Sequence, residues 1–156
     1  MERGSDQGQD PRLDRKVTAD KARRVLLIDY DEDLAAVLKE LLESNGVEVV
    51  LHNCPPDACL CGTAVLATHP DAVVVNVAEP MGGHDNLHGW QCLQNVVGLA
   101  VQLRIKVIGY TIFDSYTLGE LGIDAKRLGV RILANVNNPA DFADLVAAGL
   151  TDRQMA

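Results

Sequence analysis

Nowhere in the 156-residue sequence does an apolar run approach the roughly 20 residues that cross a bilayer, so no membrane span is expected. The N-terminus also lacks the apolar stretch of a secretion signal, and a cytoplasmic location is the expectation that follows. Cysteine is scarce: Cys54, Cys59, Cys61 and Cys92 are the only four. Three of them fall in "HNCPPDACLCG" beside His52, which raises a zinc site. Against it, Cys59 and Cys61 fall inside a predicted helix, where residues two apart point in different directions, and no second ligand pair follows at a zinc-like spacing. The cysteines are therefore expected to be small core residues, with no metal and no cofactor assigned. Basic residues are few beyond the first 24 positions. Met1–Arg24 carries five acids and seven bases, whereas the rest carries seventeen acids and seven bases, for a net charge of −8. A body that acidic repels phosphate backbones, so nucleic acid is not expected as a partner. The basic run "KARR" (Lys21–Arg24) reads as a solvated strand entry.

What is present is an alternating apolar pattern. With 47% apolar and 23% charged residues the chain suits one folded domain. Residues 1–22 are polar and without periodicity and are expected to form a disordered tail. The domain is expected over 23–151, with a short tail at 152–156. Buried-type strands are predicted at Arg24–Asp29, Val47–His52, Ala72–Asn76, Ile105–Thr111 and Arg131–Asn135. Helices are predicted at Asp31–Gly46, Asp57–Thr68, Gly89–Gln102, Ser115–Leu128 and Pro139–Leu150, the fourth weakened by Gly119 and Gly122. Near-continuous apolar strands alternating with helices mean a doubly wound α/β fold with a five-stranded parallel sheet. Ligand chemistry in such folds sits beyond the carboxyl ends of the strands, here Asp29, Tyr30, Asn76, Thr111 and Asn135.

These segments resemble, in order, a response-regulator receiver domain of the CheY-like kind over Arg24–Leu150. "VLLIDYDEDL" is similar to the family's first strand and acidic turn. "PDAVVVNVAEP" is similar to its phosphoacceptor strand, with Pro80 at the family's proline. "VIGYTI" is similar to the strand ending in the switch hydroxyl, and "RILANVNNPADF" to the strand ending in Lys-Pro. The resemblance implies a flavodoxin-like (βα)5 topology with strand order 2-1-3-4-5. It also implies a reaction in which an acid takes a phosphoryl group as an acyl phosphate, with magnesium and a lysine balancing charge.

This sequence departs from that pattern where the charges should be. Asn76 stands at the acceptor position, and an amide neither attacks phosphorus nor carries charge. Asp29 keeps one acid of the acidic pair, but its neighbour is Tyr30. Asp31, one residue on, is expected to cap the first helix. Asn135 stands at the lysine, Val136 at the proline after it, and Ile132 at the family's aromatic. Thr111 is kept. Two acids and a lysine that attract one another in an active receiver are lost as a set, and any one buried alone would cost several kcal/mol. The expectation is a degenerate phosphorylation pocket of Asp29, Tyr30, Asp31, Asn76, Thr111 and Asn135. Asn76, Tyr30, Asn135 and Thr111 are expected to form a neutral hydrogen-bonded cluster within the core. No catalytic residue is assigned and no enzymatic activity is expected.

Two other features depart from an ordinary solvated surface. "ACLCGTAVLAT" (Ala58–Thr68) and "GWQCLQNVVGLAVQL" (Gly89–Leu103) carry no charge, although a helix covering a sheet normally shows water a charged side. Cys59, Leu60, Thr63, Leu66, Gln91, Gln94, Asn95 and Leu99 are the expected contact surface for a protein partner, simplest as a homodimer. The long loop "AEPMGGHDNLHGW" (Ala78–Trp90) is expected to overhang the pocket as a lid, with Glu79, Met81, His84, Asp85, His88 and Trp90 as its notable residues. The function that follows is a phosphorylation-independent pseudo-receiver, a stand-alone interaction module in bacterial-type, two-component signal transduction. The alternative is a small-molecule or metal-sensing domain that uses the pocket under the loop 78–90.

Overall fold

The computed structural model describes residues 23–29, 31–53, 59–78 and 87–151. Five strands, β1 (Arg24–Ile28), β2 (Glu48–His52), β3 (Ala72–Ala78), β4 (Lys106–Thr111) and β5 (Arg131–Leu133), form one parallel sheet in the order β2-β1-β3-β4-β5. Among the described residues six helices connect and cover it: α1 (Glu32–Ser44), α2 (Cys61–Thr68), α3 (His88–Leu103), α4 (Ser115–Glu120), α5 (Ala125–Leu128) and α6 (Pro139–Thr151). The doubly wound fold class and the strand order are those expected. Among the described residues no helix is long and apolar enough to cross a membrane.

Alternation along the strands divides the core into two layers. Val25, Leu27, Val49, Ala72, Val74, Ile108 and Tyr110 meet α1 and α6 through Leu38, Leu42, Phe142 and Val146. Leu26, Ile28, Val73, Val75 and Val77 face the other way, onto Val65 of α2, Leu93 and Val96 of α3, and Leu118 of α4. All of β3 is buried, which is why it reads as an apolar run broken only at Asn76. Its register to β4 shifts between Asn76 and Ala78, at the strand's carboxyl end.

Helix boundaries follow local chemistry. Asp31 caps α1, its carboxylate accepting from the backbone N–H of Leu34 at 3.1 Å, and Asn138 caps α6 by accepting from Ala140 N–H at 3.0 Å. The fourth predicted helix, Ser115–Leu128, is in fact two. Gly122 takes φ +80°, and Asp124 starts a new cap by accepting from Arg127 N–H at 3.2 Å. The second predicted helix, Asp57–Thr68, also differs: its described part starts at Cys61, so Cys59 and Leu60 precede it. The predicted tails at 1–22 and 152–156 and the predicted helix entry at 54–58, Cys54 included, lie outside the described residues.

Candidate functional site at the carboxyl ends of the strands

Asp29 directly follows β1, in phase with Val25 and Leu27, so its side chain leans toward the α1/α6 layer. Asn76 in β3 and Tyr110 in β4 share that phase with Ala72, Val74 and Ile108. All three are nearly fully buried, at 3%, 3% and 2% exposure, and they converge. Asp29 Oδ2 accepts from the Tyr110 hydroxyl and from Asn76 Nδ2, the latter at 3.3 Å. Asp29 Oδ1 accepts from the backbone N–H of Asp31 at 2.9 Å. Three internal donors therefore surround one buried carboxyl group. Phe142 holds the tyrosine in place, its ring centroid 4.5 Å from that of Tyr110 at a 40° tilt.

This is a different cluster from the one expected. Asp29 and Asn76 do meet, but Tyr110 supplies the phenol, and sequence reasoning passed over it as a strand residue of "VIGYT". Tyr110 and Asn76 are direct partners in the β3–β4 register, a pairing that only the assembled sheet reveals. Thr111 is fully buried but faces away: its hydroxyl donates to the Ala78 carbonyl at 2.8 Å and accepts from Phe113 N–H at 3.2 Å. Asn135 is exposed in a left-handed conformation, φ +59°, and its side-chain oxygen accepts from Asn137 Nδ2 at 3.0 Å. Asn135 thus acts as a turn residue, a role Asn tolerates, and does not line the groove beside Asp29. Asp31 lies at the edge, its N–H given to Asp29 and its carboxylate to α1. Tyr30 lies outside the described residues.

Of the loop residues, Glu79, Met81, His84 and Asp85 lie outside the described residues, and His88 and Trp90 are buried in the first turn of α3. That turn sits directly on the pocket strand. A Cβ on Gly89 would fall 1.6 Å from the backbone oxygen of Asn76, so only glycine permits this approach. A groove of about 400 Å³ opens beside Asp29, lined also by Glu32, Ala35, Leu51, His52 and Asn53. Burial pushes the pKa of His52 down, opposed by the charge of nearby Cys92.

The sulfur atoms also contradict the expectation drawn from helical spacing. Cys59 precedes α2 and Cys61 is its first residue, so helical divergence does not apply to the pair. The sulfurs of Cys59, Cys61 and Cys92 all lie within 4.8 Å of one another, Cys92 reaching across from α3. On the outer side of the same helices, Cys59, Leu60, Thr63, Leu66, Gln91, Gln94 and Asn95 are exposed and Leu99 is half-buried. Val101 and Leu103, absent from the expected set, extend this uncharged surface along α3.

Solved structures similar to this chain are receiver domains and response regulators. A CheY-like receiver domain protein from Methanospirillum hungatei JF-1 matches with a TM-score of 0.58 and 19% identity, covering 82% of this chain and 93% of that one. A response regulator from Thermotoga maritima matches with a TM-score of 0.61 and 16% identity, covering 83% and 98%. A response regulator receiver protein from Burkholderia phymatum matches with a TM-score of 0.56 and 25% identity, covering 82% and 94%. No protein-family model and no curated protein matches the chain. The likeness carries the fold and its topology; the chemistry rests on the residues of this chain.

Proposed function

We propose that the chain is a phosphorylation-independent pseudo-receiver, an interaction module in two-component-type signalling. The observation that carries this reading is the state of Asp29. Its carboxyl group is buried and engaged by three internal donors, and the neighbouring acceptor position holds an amide that donates to it. An acyl phosphate needs a free carboxylate at that position, and Asn76 supplies none. A receiver's magnesium site does not fit this donor set. The position of its second acid holds Tyr30, Asp31 one residue on is turned to the start of α1, and the oxygens of Asp29 face the phenol, the amide and a backbone N–H.

Recognition is then left to the surface. A chain of net charge −8 repels its own copies wherever acids face each other. The outer side of α2 and α3 is free of that penalty and exposes Leu60, Leu66, Val101 and Leu103. This favours a second copy of the chain as the occupant, through a two-fold contact. The groove beside Asp29 supports a second reading, recognition of a small ligand between Glu32 and His52.

Intact-mass measurement after incubation with acetyl phosphate and Mg²⁺ tests the first claim. No adduct is expected, and a magnesium-dependent phosphoryl adduct overturns it. Sedimentation of the full chain tests the second: a dimer is expected, and Val101→Glu with Leu66→Lys should return it to monomer. A wild-type monomer refutes the self-association version.

A further inference from the structure

We propose that Cys59, Cys61, Cys92 and His88 form a binding site for a zinc-class divalent cation, closed between the entry to α2 and the first turns of α3. This inference is independent of the reading of the phosphorylation pocket. The Cys59 and Cys92 sulfurs are 3.6 Å apart, and Cys92 Sγ is 3.8 Å from His88 Nε2. With Zn–S bonds of about 2.3 Å, two sulfurs on one tetrahedron stand about 3.8 Å apart, and a sulfur and an imidazole nitrogen about 3.6 Å apart. The Cys59–Cys92 and Cys92–His88 separations are close to these values and far longer than the roughly 2 Å of bonded sulfurs, and the three sulfurs together lie within 4.8 Å of one another.

The ligand type fits as well as the spacing. The structure gathers three thiols, and with the imidazole of His88 turned in from beside Cys92 as the fourth ligand they would make a closed structural set for a soft, borderline cation. His88 and Cys92 stand four apart on one helix, so a single turn of α3 presents both on the same face. Cys61 and Cys92 are fully buried, whereas Cys59 reaches the surface and leaves an entry path. A second observation points the same way. The Nε2 of His52, at the end of β2, is buried with no hydrogen-bond partner among the described residues.

Binding would replace three S–H bonds with three metal–sulfur bonds and release three protons to solvent, while His88 coordinates as neutral imidazole. The site would tie α2 to α3 beneath the uncharged surface, with Cys59 beside the exposed Leu60. Gly89, which seats α3 on Asn76, is the residue after His88, so occupancy would also hold that contact in place.

The test uses the full chain, reduced and stripped with a chelator, then titrated with Co²⁺ and Zn²⁺. One equivalent of Co²⁺ should give thiolate-to-cobalt charge-transfer absorption and the intense visible bands of a tetrahedral centre. Loading the stripped protein with either metal should release protons, and Zn²⁺ should then displace the cobalt and protect the thiols from alkylation. Cys92→Ser sits in the core and is a weak test if it fails to fold. Cys59→Ser, at the surface, should fold and lose at least ~10-fold in affinity, since removing even a hydrogen-bond partner of a ligand costs about that much. His88→Ala should keep the charge-transfer band but weaken the tetrahedral bands. No cobalt spectrum in the wild type, or one unchanged in Cys59→Ser, overturns the proposal.

Discussion

Replacing Tyr110 by Phe isolates the interaction on which the reading of the pocket depends. The ring stays, with its packing on Phe142 at 4.5 Å, so no cavity opens and the transfer free energy of the side chain hardly changes. The donor to Asp29 Oδ2 is lost. A hydrogen bond to a charged group contributes about 1.5–3 kcal/mol, and here both residues are almost wholly buried, so water cannot take over the vacated place without opening the core. Asn76 Nδ2, at 3.3 Å, remains as the other side-chain donor to Oδ2, a long bond that replaces little of what was removed. Tyr110→Phe should therefore destabilise the fold by about 2 kcal/mol at neutral pH. Urea unfolding of wild type, Tyr110→Phe, Asp29→Asn and the double variant measures both the loss and its origin. The cycle should return a coupling of about 1–2 kcal/mol between positions 29 and 110, because Asp29→Asn removes the charge that strengthens the bond. A loss below about 0.5 kcal/mol, or a coupling near zero, would refute the claim that this phenol is a principal internal donor to the buried acid.

Three further outcomes follow from the same geometry. Asn76→Asp puts a second carboxyl beside Asp29, so like charges share a buried site and the pKa of the pair's later-ionising member rises. The loss of several kcal/mol should be largest at neutral pH and shrink as pH falls and that acid takes up its proton; a pH-independent loss in urea melts would count against it. Gly89→Ala and Gly98→Ala are the same change in the same helix with opposite signs. The first drives a Cβ to 1.6 Å from Asn76 O and should cost about 3 kcal/mol or more, whereas the second meets nothing within 4 Å and should gain a few tenths up to ~1 kcal/mol. Equal melting temperatures would refute this seating of α3. Asp114 caps α4, and hydrogen bonds from the Thr117 backbone N–H and then its hydroxyl hold its carboxyl below the usual carboxylate range. Its stabilisation is present above the ordinary carboxylate pKa and is lost as pH falls through the depressed value, so Asp114→Ala should be less stable than wild type near neutrality and converge with it in acid. Thermal melts across that range check the convergence.

The sequence by itself determined the architecture, because strands buried on both faces read as near-continuous apolar runs and helices declare themselves through caps and period. Val73–Val77, the Asp31 cap and the Asn138-Pro139 start are local features, set by burial and backbone hydrogen bonding within a few residues. It also showed that Asn76 and Asn135 cannot do what acid and lysine do, since that is a property of the side chains alone. Which groups meet was decided only in three dimensions. Tyr110 joins Asp29 across 81 residues because β1, β3 and β4 lie side by side in register, and no local pattern encodes that pairing. Asn135 leaves the pocket because its backbone turns left-handed after a three-residue β5. The sulfur atoms gather for the same reason: Cys59 and Cys61 escape helical divergence by straddling the start of α2, and the packing of α2 on α3 brings Cys92 to them. Residue spacing governs neighbours within one helix, whereas convergence between elements is a consequence of how the layers pack.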